Sequence, residues 1–376
     1  MMVRIKNLIL LARCFIYFFW HGRATKDIQK SKKFLVIQTA KLGDMVCTTP
    51  VFSAIKNNYP EADVYVMGNK INQELLEGNK DVDGYIEKCS NFNYLLETIK
   101  KLNFDYACLI TPSFENLALA FLAGIPRVVA PKVINGYSPY ETKSYKILRK
   151  LVIAMPHTFG NYAPREYLRL LEPVGIHSAE TTKNLAYSET GIIKIKNLLM
   201  KNGVDYTKDF VVGLAPSVAN KIKLWPAERF ALLADYVITK YQAKVILIGG
   251  PNDLKQSEQV GSLAKNKLMN LTGQLNIEEL KALISLLKLF ISVDTGPIYI
   301  AEAFEITTID ILGPMAAGEQ PPVGQLHKIV ELKDRKPQLH IMNARKYDAT
   351  EARRQIEEIS VQMVVEKVDE ISKEIL

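Results

Sequence analysis

The sequence predicts an α/β protein built from two parallel-sheet domains, and three observations predict it. Short apolar runs without polar alternation recur at 34–38, 106–110, 210–214, 244–248, 289–293 and 307–312. Such runs are the mark of strands buried on both faces of a parallel sheet. Helical patterns of crossover length separate them. The strand pattern then restarts at Phe210, and a chain of 376 residues has room for two domains of ordinary size.

The first element is 8–20, LILLARCFIYFFW, apolar except for Arg13. As a helix it spans about 20 Å against a hydrocarbon core of about 30 Å, too short to cross. No small-residue cleavage site follows it, which argues against a secretory signal. Lys6, Arg13, Tyr17 and Trp20 fall on one helical face by spacing, and Arg4, Arg23, Lys26, Lys30, Lys32 and Lys33 surround the segment. Apolar and basic halves together fit a helix lying in the interface of an anionic cytoplasmic leaflet. The other reading is a helix packed on the protein's own surface. Residues 1–33 are read as an interfacial membrane-binding segment.

The first domain is expected over 34–180. Strand 34–38 runs into a loop at 40–44 that contains Gly43 and ends on Asp44, and a helix follows from about Val51 to 57–58. Ligands in open α/β sheets bind outside the carboxyl ends of strands, which is where Asp44 falls. Asp44 serves either as a helix N-cap or, with Pro50 in the first turn and Thr49 as the cap, stands free in the loop. Further strands are expected at 64–67, 85–87 and 127–130, with helices at 93–102 and 115–123. Asp81-Val82-Asp83 has the look of a metal-holding acidic pair but sits in a polar turn, and is read as a turn. Residues 131–164 read as irregular and carry Lys132, Lys143, Lys146, Arg149 and Lys150. This is either a basic loop for an anionic acceptor or a solvated linker. A short helix at 166–171 closes the domain near Gly175.

The second domain is expected over 181–348. Strand 210–214 leads into a loop holding Ser217 and Lys223, then Trp225-Pro226 and an amphipathic helix at 227–241. Strand 244–248 ends in Gly249-Gly250, and Leu271-Thr272-Gly273 precedes a helix at 277–287. Strand 289–293 runs straight into Asp294-Thr295-Gly296-Pro297 and a helix through Phe304. A helix N-terminus at such a junction offers free N–H groups and a positive dipole end to a phosphate. The plainer reading is a capped helix, with Asp294 or Thr295 as N-cap and Pro297 at the first position. Lys223 is either a cation for the same anion or a surface lysine. Strand 307–312 ends at Gly313-Pro314, and 349–376 reads as a closing helix that packs back across the domain junction. Two facing domains with a cleft between them suit a reaction that joins two large substrates.

Composition sets bounds on function. A hydrophobic content of 48% excludes a disordered chain. The formal net charge of +8 fits an anionic membrane or an anionic substrate. With no zinc finger, RNP-type or arginine-rich motif, nucleic acid is not an expected partner. Cys14, Cys47, Cys89 and Cys108 lie far apart without a nearby His, so neither a zinc site nor a disulfide framework is expected. There is no GxGxxG and no Walker loop, which counts against a dinucleotide oxidoreductase or an NTPase.

In order along the chain, Leu42-Gly43-Asp44 with Thr49-Pro50, Lys223-Leu224-Trp225-Pro226, Gly249-Gly250, and Asp294-Thr295-Gly296-Pro297 with Gly313-Pro314 form one set. On these motifs, residues 34–325 resemble the ADP-heptose:lipopolysaccharide heptosyltransferases, glycosyltransferase family 9. The resemblance implies a GT-B architecture with an N-terminal acceptor domain and a C-terminal donor domain. It implies an inverting transfer of heptose from ADP-heptose to a lipid A–Kdo type acceptor, with Asp44 as general base. Lys223, Ser217 and the Thr295–Gly296 amides would hold the diphosphate, and Asp294 would bind sugar hydroxyls. Asp253 would meet the ribose and Leu275 the adenine. No tightly bound cofactor is implied, and a divalent metal is not required. The expected partners are a nucleotide sugar, an anionic glycolipid and an anionic membrane surface, at the cytoplasmic face of the inner membrane. Two departures stand out: Tyr299 where the family usually has His, and Met315 where Thr commonly follows Gly-Pro. They leave open a related GT-B transferase using another nucleotide sugar, or a sugar-nucleotide-binding protein without transferase activity.

Overall fold

Two parallel six-stranded sheets organise the computed structural model, which describes residues 2–22, 33–343 and 345–375. The chain divides into one unit of residues 1–184 with 341–343 and a second of 185–340 with 344–376. In the first, β1 (Lys33–Ile37), β2 (Asp63–Gly68), β3 (Gly84–Glu87), β4 (Tyr106–Leu109), β5 (Arg127–Val133) and β6 (Ile153–His157) lie in the order β3-β2-β1-β4-β5-β6. In the second, β7 (Val211–Ala215), β8 (Lys244–Leu247), β9 (Met269–Asn270), β10 (Leu289–Val293), β11 (Thr307–Ile311) and β12 (His327–Val330) lie in the order β12-β11-β10-β7-β8-β9. Counted from each unit's own first strand, the two orders are the same doubly wound order. Direction of winding reverses between β1 and β4 in one unit and between β7 and β10 in the other, the point at which open α/β sheets generally bind ligands.

The apolar runs are central strands because both of their faces are covered. Phe34, Leu35, Val36 and Ile37 are all buried, as are all five residues of β10. The segment 131–164, expected to be irregular, is not. It contains the end of β5, a helix Lys143–Leu148 and the edge strand β6. Pro131 and Pro156 disguise the strands, and an edge strand is where Pro is tolerated. Tyr145 and Leu148 anchor the helix in the first unit's core, and the Tyr145 hydroxyl donates to the Pro131 carbonyl at 2.7 Å. Arg149 is spent on structure, against the Glu141 carboxylate and the same carbonyl. Lys132, Lys143, Lys146 and Lys150 remain exposed. Asp83 accepts the Val64 amide and pairs with Lys56, both at 2.7 Å, as suits a turn.

The N-terminal helix, Met2–His21, packs on the first unit through Leu11 and Cys14, with Leu10, Phe15, Tyr17 and Phe18 partly covered. Tyr17 therefore turns away from the face it was expected to share with Lys6, Arg13 and Trp20, and packs its ring edge-on to Phe121. Arg23, Lys26, Lys30, Lys32 and the side chain of Arg4 lie outside the described residues. Lys33 belongs to β1, where it pairs with Asp63. Among the described residues, no helix is long and apolar enough to cross a membrane.

The closing segment, expected as one helix packing across the junction, is two helices, Ala349–Glu357 and Val361–Ile375. Their apolar faces complete the second unit's own core through Ile356, Ile359, Val364, Val368 and Ile371. Trp225, fully buried, donates its indole N–H to the Ile359 carbonyl at 2.8 Å. Gly313 is required by this packing, because a Cβ there would stand 2.7 Å from Cβ of Ile356. Ile356→Ala is expected to destabilise the second unit by about 2–5 kcal/mol, and Gly313→Ala to destabilise it through the clash. In the double variant the methyl's contacts with Cδ1 and Cγ1 of Ile356, at 2.9 and 3.2 Å, disappear while that with Cβ stays, so urea unfolding should give a loss moderately smaller than the sum of the two. Strict additivity would place the two residues out of contact.

Candidate active site

Asp44 lies just past the carboxyl end of β1, at the first unit's winding reversal. It does not stand free in a loop. Residues Leu42–Val46 form a single helical turn, and the Asp44 carboxylate accepts the Lys41 amide N–H at 3.1 Å. Thr48 rather than Thr49 is the N-cap residue of the next helix, Thr49–Asn58, and the Thr48 hydroxyl donates to the Asp44 carbonyl at 2.7 Å. The extra turn arises because Leu42, Met45 and Val46 supply apolar contacts that a loop would leave exposed.

Side-chain amides fix the segment before that turn. Asn69 donates to the carbonyls of Thr39 at 2.8 Å and Ala40 at 3.1 Å, and Asn72 donates to Ala40 at 3.0 Å. Asn116 donates to the Thr39 hydroxyl at 3.1 Å, and Gln38 accepts the Ala40 amide at 3.1 Å. A carboxylate carried on so many fixed hydrogen bonds is pre-positioned. None of these four residues stood out in the sequence. The signal was there in the Asn at the end of β2 and the Asn near the start of the helix after β4.

In the second unit, Asp294 follows β10 and Lys223 follows β7, the two strands that flank the winding reversal. Lys223 Nζ donates to the Asp294 carboxylate at 2.6 Å and to its backbone carbonyl at 2.5 Å. Asp294 is 4% exposed, so this is a buried ion pair. Its other oxygen accepts the hydroxyl of Tyr299, which is buried as well. Thr295 is the N-cap residue of the helix Gly296–Ala303, with extended backbone and no side-chain cap bond, and Pro297 stands second rather than first. Asp294 is thus neither a cap nor loose, and Lys223 is not an ordinary surface lysine. The two are held together at a helix N-terminus.

A second cluster adjoins the first through one 3-10 turn, Lys221–Lys223. Ser217 donates to Asp253 at 2.6 Å, and Lys221 donates to Ser217 at 3.1 Å. Asp253 also accepts the Gly250 amide at 2.9 Å. Gly249 permits this fold-back, since a Cβ there would stand 2.9 Å from Cβ of Asp253. Leu275 is half-buried between Gly273, in the left-handed region at φ +73°, and Asn276, which caps the following helix. Lys221 went unremarked in the sequence. Its position two residues before Lys223 in one tight turn is what brings it to Ser217.

Residues 99–347 match the pattern of the family described as glycosyltransferase family 9 (heptosyltransferase). The chain belongs to that family. A relative from Escherichia coli K12, lipopolysaccharide heptosyltransferase 3, is 26% identical over 284 residues, covering 72% of this chain and 79% of its own. Among solved structures, a family 9 glycosyl transferase from Veillonella parvula superposes with a TM-score of 0.77 at 20% identity, covering 94% of this chain and all of that one. The ADP-heptose lps heptosyltransferase II of E. coli gives a TM-score of 0.72 at 18% identity over 91% of this chain and 99% of its own. The expected α/β GT-B fold class holds, and the protein is a glycosyltransferase.

One feature of this family 9 transferase had no counterpart in the sequence reading. Asp310, on β11 and 1% exposed, lies beside Ser292 in the sheet register, and neither carboxyl oxygen has a hydrogen-bond partner. Burial, and then the nearby Asp294 carboxylate, push its carboxyl well above the ordinary range, while Lys223 and Arg335 draw it partly back. A buried acid beside a buried ion pair is stable when neutral, because a second carboxylate would compete for the same lysine. Folding then takes up a proton at Asp310. The stability this confers is complete below the unfolded carboxylate range, near pH 4, and is lost as pH rises towards the folded value. Asp310→Asn removes that slope. Its melting temperature, relative to wild type, is expected to rise between about pH 5 and about pH 8 in scanning calorimetry. Parallel curves over that range would contradict a neutral Asp310.

Proposed function

We propose that this enzyme transfers a heptose from ADP-heptose to an anionic glycolipid of the lipid A–Kdo type, with inversion at the anomeric carbon, at the cytoplasmic face of the inner membrane. The observation that carries the reading is the buried Lys223–Asp294 pair beside a helix N-terminus at the second unit's winding reversal. A cation beside the Gly296 amide at that helix N-terminus suits a diphosphate. The E. coli relative whose description names ADP-heptose supports the choice of donor.

In this reading Lys223 exchanges its internal carboxylate for the donor's diphosphate, and Asp294, released, accepts hydroxyls of the sugar. The Gly296 amide and the Thr295 hydroxyl add donors to the phosphate. Asp253, oriented by Ser217, meets the ribose, and Leu275 covers one face of the adenine. The acceptor hydroxyl oxygen attacks the anomeric carbon while the bond from that carbon to the phosphate oxygen breaks. ADP leaves with the electron pair, and Asp44 takes the proton. Negative charge grows on the leaving group, where Lys223 and the helix amides are fixed in advance. These groups neutralise the diphosphate without requiring a metal. Tyr299 donates to Asp294 and, as a phenol, has no cationic form, so the diphosphate depends the more on Lys223.

A second reading, a related transferase using another nucleotide sugar, draws on Tyr299 and Met315. Thermal shifts with ADP-, UDP- and GDP-sugars separate the two, and stronger stabilisation by a UDP- or GDP-sugar would favour the second. Asp44→Asn keeps the shape and removes the base. Transfer is expected to fall by about 10²–10⁴-fold with ADP affinity unchanged, because Asp44 belongs to the other unit. Near-normal turnover would exclude Asp44 as the base.

A further inference from the structure

The N-terminal helix has two faces, and only one is used. Leu11, Cys14, Phe15 and Phe18 cover the first unit's core, while Ile5, Leu8, Ile9, Ala12, Ile16, Phe19 and Trp20 are exposed. At 100° per residue these seven fall within an arc of about 120°, in a stripe about 22 Å long. Phe19 and Trp20 are 81% and 82% exposed, an unusual state for aromatic side chains. The helix contains no acidic residue, and Lys6 and Arg13 are exposed at its edge. Packed against it is the helix Lys143–Leu148, also free of acidic residues, which exposes Lys143, Lys146 and Ile147. Two segments with open readings in the sequence, the apolar N-terminus and the basic run after β5, therefore share one surface.

We propose that this surface seats the enzyme on an anionic lipid bilayer, with the stripe lying in the headgroup and acyl boundary and the lysines of the neighbouring helix on the phosphates. The charge decides the occupant. A second copy of the chain placed on the stripe would bring two basic rims together, whereas anionic lipid neutralises the rim and takes up the apolar side chains at once. Half of the helix is already committed to the protein, so it lies in the plane of the interface and does not penetrate further. This deepens the membrane location in the proposed function and rests on that part of it alone; neither donor nor acceptor is involved, so a failure of lipid binding would leave the transfer reading standing.

Tryptophan fluorescence gives a direct test, because the chain has two Trp residues and the other, Trp225, is fully buried. Vesicles of phosphatidylethanolamine with phosphatidylglycerol should blue-shift the emission of the full-length protein, and brominated lipid should quench it. Phosphatidylcholine vesicles should do neither at the same lipid concentration. Trp20→Phe should still float with anionic vesicles but lose the optical change. Ile16→Glu with Phe19→Glu, both at exposed positions, should lose flotation by at least tenfold. Lys143→Glu with Lys146→Glu should weaken it about tenfold and flatten its salt dependence. Equal flotation of wild type and the glutamate variant would overturn the proposal. So would a dimer in light scattering without lipid that the same variant converts to monomer, which would assign the stripe to a second copy.

Discussion

The buried ion pair between Lys223 and Asp294 is the interaction that ties together the strand ends at the second unit's winding reversal, and the proposed chemistry rests on it. Two charges taken out of water are costly unless they meet at close range with further hydrogen bonds. Here the lysine has two oxygens of Asp294 within 2.6 Å, and the carboxylate has the Tyr299 hydroxyl on its other side. The pair spans the strands where winding reverses, so it ties the loop after β7 to the end of β10. Burial and the Asp294 carboxylate raise the Asp310 carboxyl behind it well above the ordinary range, which favours a single negative charge facing the lysine. In the proposed reading a group held this way is also exchangeable, because an incoming anion of higher charge competes for the same ammonium.

The first unit meets a comparable demand by different means. Its carboxylate, Asp44, is partly exposed and carried on a one-turn helix, and side-chain amides from neighbouring turns pin the segment before it. Hydrogen bonds between neutral groups fix direction without adding charge, which suits the base proposed for Asp44. Both units thus place a carboxylate at the winding reversal, Asp44 after the first strand of its unit and Asp294 after the fourth strand of the other. One is buried, and the other is partly exposed on a braced turn.

Much of the fold was legible because it rests on local signals. Unpatterned apolar runs gave the central strands, and the helices at 93–102 and 227–241 followed from their periodicity. What escaped was set by tertiary contact. β6 carries an apolar run, 151–155, which Pro156 interrupts, and the short helix before it is defined by the burial of Tyr145 and Leu148. The closing segment breaks in two because Trp225 and Arg229 bind the Ile359 carbonyl. At the site, Asp44, Lys223 and Asp294 were visible as motifs, but their state was not. Sequence shows a lysine and an aspartate 71 residues apart, and only the sheet order makes them a pair. Asp310 and Lys221 carry no motif and gain meaning solely from their neighbours.

The central claim is that Lys223 is shared between an internal carboxylate and the donor's diphosphate, and calorimetric titration of ADP into two variants tests it most directly. Lys223→Ala removes the cation and should weaken ADP by at least about tenfold, the scale of one charge-assisted contact. Asp294→Asn removes the competitor while keeping the shape, and should bind ADP as tightly as wild type or several-fold more tightly. If Asp294→Asn instead loses ADP affinity as severely as Lys223→Ala, the pair acts as one structural unit and the exchange does not occur.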